Sequence, residues 1–343
     1  MQPGRPLPQA ADLFGDIEAT PPAGLRDLLP GLAVALLATL AARYLADHYG
    51  VPLMLMALLV GLALNFLSAD SRLNPGLGFA ARTLLRLGVV LIGIRITLAD
   101  VASLGLPALA ALIAIMAATF SAGLLLARLA GGTAAFGALC GGAVAICGAS
   151  AAMALAATLG ERRISQAELT AVLVGIAAVG AAAMALYPPL AGLLGLSDQG
   201  AGFLMGAAIH DVAQAVGAGD MVSPEAGAIA AIVKLSRVAL LAPILLLVAA
   251  AFGSRSGARQ GVPLFLVGFF LLAAANSLGL VPNLLRGPAI EASGLLMAMA
   301  IAAAAIRSPM RELAAGGRRP LLVVGGASLV ALAAAILAAL LLF

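Results

Sequence analysis

The sequence predicts an all-α polytopic membrane protein with about eleven (10–11) transmembrane helices, inverted repeats and discontinuous helices at mid-membrane. Three observations predict it. The chain is 63% hydrophobic and only 10% charged, with a mean hydropathy of +1.13, whereas a soluble domain carries about 25% charged residues. Apolar runs near the ~20 residues needed to cross a ~30 Å hydrocarbon core recur along the whole length, where an outer-membrane barrel would show short alternating segments. Finally, ionisable residues cluster inside two neighbouring runs. Such groups are expensive in lipid and mark a substrate or ion path.

Taken in order, residues 1–29 form a polar arm, with Pro3, Pro6, Pro8, Pro21 and Pro22 among Asp12, Asp16 and Glu18. It lacks the basic start and small-residue cleavage pattern of a signal peptide. Residues 30–343 read as one transmembrane domain. Candidate spans fall at 31–46, 51–67, 79–98, 106–128, 136–159, 169–194, 201–219, 226–252, 262–282, 288–306 and 320–343. Pro188-Pro189, Pro243 and Pro309 mark ends or kinks. The segment 201–219 is short and polar enough to be broken or re-entrant.

Arginine placement orients these spans, because cytoplasmic loops carry the excess of basic residues. With the N-terminus inside, the inner side holds Arg5, Arg26, Arg72, Arg82, Arg128, Arg255, Arg259, Arg307, Arg311, Arg318 and Arg319. The outer side holds Arg43, Arg95, Arg162, Arg163 and Arg286. The balance predicts a cytoplasmic N-terminus and an outside C-terminus. Arg95, near a span end, reads as an interfacial anchor.

The stretch Val51-Pro-Leu-Met-Leu-Met-Ala-Leu-Leu-Val-Gly-Leu-Ala-Leu-Asn65 matches Val262-Pro-Leu-Phe-Leu-Val-Gly-Phe-Phe-Leu-Leu-Ala-Ala-Ala-Asn276. The following spans match at Leu84-Leu85 with Gly93-Ile94-Arg95, and at Leu295-Leu296 with Ala305-Ile306-Arg307. The pairs lie seven predicted spans apart, an odd number, so the copies run in opposite directions. Inverted repeats are common in secondary transporters, whose sites form at the repeat interface. Asn65 and Asn276 read as interhelical hydrogen-bonding groups.

The candidate site centres on Ala208-Ile-His-Asp-Val-Ala-Gln-Ala-Val216 and on Ala145-Ile-Cys-Gly-Ala-Ser-Ala-Ala-Met153, which both put small and polar residues inside a span. Unwound helices there present free N–H groups and a positive dipole end, which suits an anion. Lys234, the single lysine, and Arg237 share one helix face. They read either as a cationic pocket for an anionic substrate or as a snorkelling or charge-compensating pair. His210 and Asp211 suit proton or ion coupling, or a static salt bridge to Lys234 or Arg237. Cys147, Gly148 and Ser150 offer thiol, backbone and hydroxyl groups to the opposing half, though Ser and Cys are also ordinary packing residues in membrane helices. Cys140 and Cys147, about 10 Å apart on a helix, are too far apart for an unstrained disulfide, and their spacing suits no structural metal.

Other function classes have little support. The formal charge of +4 comes without an aromatic-rich basic patch, so no nucleic-acid partner is expected. No Gly-x-Ser-x-Gly, His-Glu-x-x-His, Walker loop or paired intramembrane Asp occurs, so neither an enzyme nor an ATP-driven pump is expected, and no cofactor beyond a coupling H⁺ or Na⁺.

Through Ile209-His-Asp-Val-Ala-Gln214, Lys234-Leu-Ser-Arg237, Leu84-Leu-Arg-Leu-Gly-Val-Val-Leu-Ile-Gly-Ile-Arg-Ile-Thr-Leu98, Cys147-Gly-Ala-Ser150 and Tyr187-Pro188, the chain resembles the YeiH-type family of bacterial membrane proteins, often labelled sulfate exporters. The resemblance covers nearly everything after the N-terminal arm. It implies a multi-pass carrier of the bacterial inner membrane, similar in fold to the cation:proton antiporter and bile-acid symporter superfamily. Core and scaffold subdomains would interleave, and a homodimer is an option by analogy. The resulting expectation is a secondary transporter of a small anion such as sulfate, sulfite or an organosulfonate. Lys234, Arg237, Ser150, Gln214, Cys147 and Gly148 would bind substrate, with His210 and Asp211 coupling its movement. The alternatives are a cation-coupled organic-acid symporter and, from another class, a membrane enzyme or sensor without flux.

Overall fold

In a hydrocarbon solvent every backbone N–H and C=O must find a partner within the chain, so long apolar runs become helices. The computed structural model describes residues 24–97, 104–160, 162–253, 264–308 and 318–343, and all the regular structure among them is helical. The helices are α1 (Leu25–Tyr49), α2 (Leu53–Ala63), α3 (Asn74–Arg95, with a π-helical turn at Ala80–Leu84), α4 (Gly105–Leu129), α5 (Ala134–Ala145), α6 (Ala149–Leu159) and α7 (Gln166–Leu193). There follow α8 (Asp198–Ala208), α9 (Val212–Val222), α10 (Pro224–Ala239), which continues past Leu240 into α11 (Leu241–Ala251), α12 (Leu264–Ser277), α13 (Asn283–Ile306) and α14 (Arg318–Leu342).

Seven of these stretches are long and apolar enough to cross a membrane: α1, α3, α4, α7, α10–α11, α13 and α14. Polar caps fix several starts. Thr133, Ser165, Ser197 and Ser223 each accept a backbone N–H from the first turn that follows, supplying orphan helix-end donors with partners. The first helix begins at Leu25, six residues before the predicted span, with Pro30 accommodated inside it. Of the predicted polar arm, residues 1–23 lie outside the described residues.

Two of the eleven predicted spans do not run through the bundle. Within 136–159, Gly142 faces the Leu155 side chain, whereas a continuous helix would hold these residues about 20 Å apart. The chain therefore turns back at Ile146–Gly148, and α5 and α6 form a helical hairpin. Within 201–219 the same happens at Ile209–Asp211. Gly202 packs on Ala226 and Gly206 on Ala230, so α8 runs parallel to α10. Gly219 also packs on Ala226 and Gly227, and Ser223 alone joins α9 to α10, so α9 runs the opposite way. Glycine is what permits these contacts. A Cβ on Gly206 would sit 2.7 Å from the Ala230 carbonyl oxygen.

With the hairpins set aside, nine passes remain among the described residues, counting the shorter α2 and α12. They alternate in direction. One end of the bundle gathers the starts of α1 and α3, the open end of the α5–α6 hairpin and the end of α13. There Gly31 lies against Leu73 and Leu77, Gly78 near Arg307, and Arg163 Nη2 donates to Phe252 O at 2.7 Å. The other end gathers the end of α3 and the open end of the α8–α9 hairpin. Here Arg95 Nη2 bonds Asp220 Oδ1 at 3.1 Å and also Pro224 O at 2.5 Å. Arg95, expected as an interfacial anchor, is instead 16% exposed and clamps α3 to the base of this hairpin.

The helices pack in two groups. Helices α4 to α11 and α14 surround the hairpins, while α1, α2, α3, α12 and α13 pack on one another, with few contacts between the groups. In the second group the two matched asparagines play reciprocal roles. Asn65 Nδ2 donates to Ile306 O at 2.9 Å and to Ser308 O, at the end of α13. Asn276 Nδ2 donates to Ile96 O at 3.1 Å, at the end of α3.

Candidate functional site: the hairpin tips

An α-helix leaves its last four carbonyls without intrahelical partners and carries partial negative charge at that end. Two such ends, of α5 and α8, terminate deep in the protein, where water cannot serve them. The chain supplies cations from α10. Lys234 and Arg237, one turn apart, are 0% and 1% exposed. Lys234 Nζ donates to Ile146 O and Ile209 O, both at 2.8 Å, bridging the two tips. Arg237 extends the bridge. Its Nε donates to Ala145 O (2.9 Å) and its Nη2 to Val144 O (2.7 Å). Its Nη1 faces Gly206 O (2.9 Å), Ala207 O (2.7 Å) and Ile209 O (3.1 Å). Arg237 thus ties the end of α5 to the end of α8 through its planar fork of donors.

This geometry answers the question left open between a ligand-facing pocket and charge compensation. The N–H groups of both cations point at backbone carbonyls, and the Asp211 carboxylate is employed elsewhere. Asp211 Oδ1 accepts from Gln214 N at 3.1 Å and caps α9. Behind the tips, the cations act as a C-terminal cap shared by two helices.

The opposite side of each tip carries the start of the second hairpin arm, α6 or α9. Helix α6 starts at Ala149 after Gly148, whose φ of +68° is the left-handed region that glycine adopts without a Cβ penalty. No side chain caps it. Its first helical bond is Ala152 N to Gly148 O, at 2.9 Å, and the Ala151 N–H is turned to the Cys147 sulfur, so the N–H groups of Ala149 and Ser150 have no intrahelical acceptor. Ser150 is exposed, and Asp211 and Gln214 are half-buried. Gln214 Oε1 lies directly against Gly180 of α7, at a place where any Cβ would collide with it. Gly148 packs between Ile176 and His210, so the two tips touch.

His210 is 0% exposed and has one partner, Ser328 of α14, with Nε2 to Oγ at 2.9 Å. The Ser328 hydroxyl donates to Val324 O at 2.7 Å. It has one proton to give, so it accepts from His210, which places the imidazole proton on Nε2. Nδ1 is then an acceptor, buried and without a hydrogen-bond partner.

The structure therefore assembles Cys147, Gly148, His210, Asp211, Lys234 and Arg237 at two touching tips, with Ser150 and Gln214 on the first turn beyond each. Cys140 and Cys147 are free thiols, both buried. Sequence reasoning missed Ser328, Gly180, the carbonyls of α5 and α8 and the Arg95–Asp220 clamp. A lone serine after Gly325-Gly326 in an apolar run was a visible signal for the first. The carbonyls have no side-chain signature at all. Among the described residues, no group of three or more His, Cys, Asp or Glu side chains is placed to hold a metal ion.

Comparison with known proteins agrees with this picture of a membrane chain. The model of the family described as conserved hypothetical protein 698 matches residues 27–324. The UPF0324 membrane protein TauZ of Paracoccus denitrificans is 45% identical over 292 residues, covering 83% of this chain and 86% of that protein. A UPF0324 membrane protein of Rhizobium meliloti is 41% identical, covering 83% of this chain and 84% of its own. Another, from Chlorobaculum tepidum, is 38% identical, covering 86% and 84%. No solved structure matches the chain.

Proposed function

This chain belongs to the conserved hypothetical protein 698 family, the UPF0324 or YeiH-type membrane proteins, and from that premise we propose that it is a secondary transporter of a small anion, working by alternating access and coupled to H⁺ or Na⁺. The carrying observation is the pair of interior hairpin tips cross-linked by Lys234 and Arg237. Their two positive charges exceed the one negative charge of Asp211. The uncapped start of α6 adds donor N–H groups and a positive helix end, a recurrent arrangement for anions. The substrate sits against Ser150, the N–H groups of Ala149 and Ser150 and the Gln214 amide. Lys234 and Arg237 act from behind it, through the field rather than by contact. His210 Nδ1 is the proton acceptor for coupling. The cargo class, sulfate, sulfite or an organosulfonate, comes from the family resemblance.

An inverted-repeat architecture supports the transporter reading. With the two hairpins not crossing, α2 and α12 are five passes apart instead of seven, still an odd number. Helices α2, α3 and α4, the first hairpin and α7 form one unit. Helices α12, α13 and α14, with the second hairpin and α10–α11, form the other, in permuted chain order. The reciprocal bonds of Asn65 and Asn276 are what such symmetry requires. The sparse contact between the two helix groups suits movement of a hairpin-bearing core against a scaffold.

The same topology sharpens the orientation. Arg162 and Arg163 join Arg26, Arg72, Arg128, Arg307 and Arg319 at one end, leaving Arg43, Arg95 and Arg286 toward the other. The positive-inside rule makes the first end cytoplasmic, with the N-terminal side of α1 inside and the C-terminus of α14 outside, in the bacterial inner membrane.

Exchange of labelled sulfate, sulfite or an organosulfonate by the reconstituted protein in sealed vesicles tests this reading. Saturable exchange that Ser150→Trp abolishes supports it. Flux absent for every oxyanion and carboxylate tried, with a folded protein, refutes it.

A further inference from the structure

Carbonyl groups converging at the ends of interior helices form a cation site. Here the Ile146 and Ile209 oxygens, contributed by two different hairpins, both lie 2.8 Å from one nitrogen. An ammonium ion donates hydrogen bonds at that distance, and bare alkali cations seek the same kind of oxygen cluster in transporters whose helices unwind at mid-membrane. The occupant is Lys234, held by a stem that is itself buried in α10. Arg237 takes the adjacent Val144, Ala145, Gly206 and Ala207 oxygens, so the cluster is filled by side-chain cations belonging to the protein.

We infer that the juxtaposed carbonyls of the two hairpin tips are a monovalent-cation site whose resident ion is the tethered Lys234 ammonium, so that the tips are pinned together without Na⁺. This deepens the transporter reading and rests on it only for the consequence that coupling falls to H⁺. The tether raises the local concentration of the ammonium far above that of any dissolved ion, so sodium in solution cannot compete for these oxygens. The inference also explains why the chain's single lysine stands here beside an arginine. The two roles differ. Arg237 spreads its donors across a row of oxygens, whereas the compact Lys234 head is a point charge sized for a gap between two.

Removing the tether should uncover the site. In Lys234→Ala the oxygens and the space of the ammonium remain, and a small amine can re-enter. The experiment measures Tm of the purified full chain, wild type and Lys234→Ala, in choline chloride, with added methylammonium, sodium or tetramethylammonium chloride. Wild type should melt at the same temperature with each cation. The variant should melt lower and regain on the order of 2 °C with methylammonium at about ten times its dissociation constant. Tetramethylammonium, which has no N–H, should give nothing. A folded Lys234→Ala that ignores methylammonium overturns the inference. So does a sodium-specific rise in wild-type Tm, and that arm decides if the variant does not fold. None of these readouts varies the anion or measures a flux, so failure of the transporter reading would leave them standing.

Discussion

Arg237→Ala is the perturbation whose consequence the geometry defines best. The substitution removes the guanidinium and leaves Val144 O, Ala145 O, Gly206 O and Ala207 O without their side-chain donor, while Ile209 O retains Lys234. A buried acceptor stripped of its partner costs about 1–3 kcal/mol, so four give a gross loss of about 4–12 kcal/mol. Against this stands the relief of no longer burying a cation, several kcal/mol after relaxation. The net expectation is a destabilisation of about 3–5 kcal/mol, the range for breaking a buried charged pairing. A fall in Tm on the order of 10 °C follows for a chain of this size. Loss of the bridge should also free the α5–α6 tip, and Cys147, 8% exposed on that tip, reports it. Its maleimide labelling, scored against the Cys147→Ser background to subtract Cys140, should accelerate at least tenfold in Arg237→Ala. Arg237→Lys should fall between the two, since one ammonium cannot span both rows of carbonyls. If Tm stays within about 1 °C and Cys147 labels at the wild-type rate, the tips are not held by Arg237 and the shared-cap argument is wrong.

Four further outcomes follow from the same contacts. Gly206→Val should destabilise by about 1–3 kcal/mol or more, because its Cβ would meet the Ala230 carbonyl and Val233; equilibrium denaturation measures it. Gly148→Ala places a side chain at φ +68° and 3.0 Å from Ile176, a strain of about 1–2 kcal/mol that should lower Tm and slow exchange together. Ser328→Ala leaves His210 Nε2–H without its acceptor, costing about 1–3 kcal/mol, and should move the pH profile of exchange, where a merely structural serine would lower activity at all pH values alike. Asp220→Asn weakens a largely buried, hydrogen-bonded ion pair to Arg95, and by double-mutant cycle the coupling should be about 1.5–3 kcal/mol.

How far the sequence reached can be judged residue by residue. Hydropathy placed α1, α3, α4, α7, α10–α11, α13 and α14 within a few residues of their observed bounds, because lipid leaves a long apolar run no other way to satisfy its backbone. The Val-Pro-Leu match pointed to Asn65 and Asn276, whose donors do reach across between helices. Composition and spacing marked Cys147, His210, Asp211, Lys234 and Arg237 as one neighbourhood, since ionisable groups in apolar runs are rare enough to stand out. Hydropathy could not tell a hairpin from a crossing. A reversal at Ile146–Gly148 or Ile209–Asp211 needs only a few residues, and the arms around it stay as apolar as a true span. The error then propagated to the count of eleven, to the end of the bundle at which Arg162 and Arg163 were placed, and to the number of spans counted between the two Val-Pro-Leu stretches.

What the sequence by itself determined is therefore the solvent this chain is built for, the helices that solvent imposes, and the handful of polar residues too costly to be there without a use. Only the tertiary structure decided that use. Whether Lys234 and Arg237 face a ligand or the protein depends on where the orphan carbonyls of α5 and α8 end up, and those atoms are common to every residue. Backbone groups write nothing into the sequence, so a cation that answers to them is visible only once the two helix ends have been brought to its side.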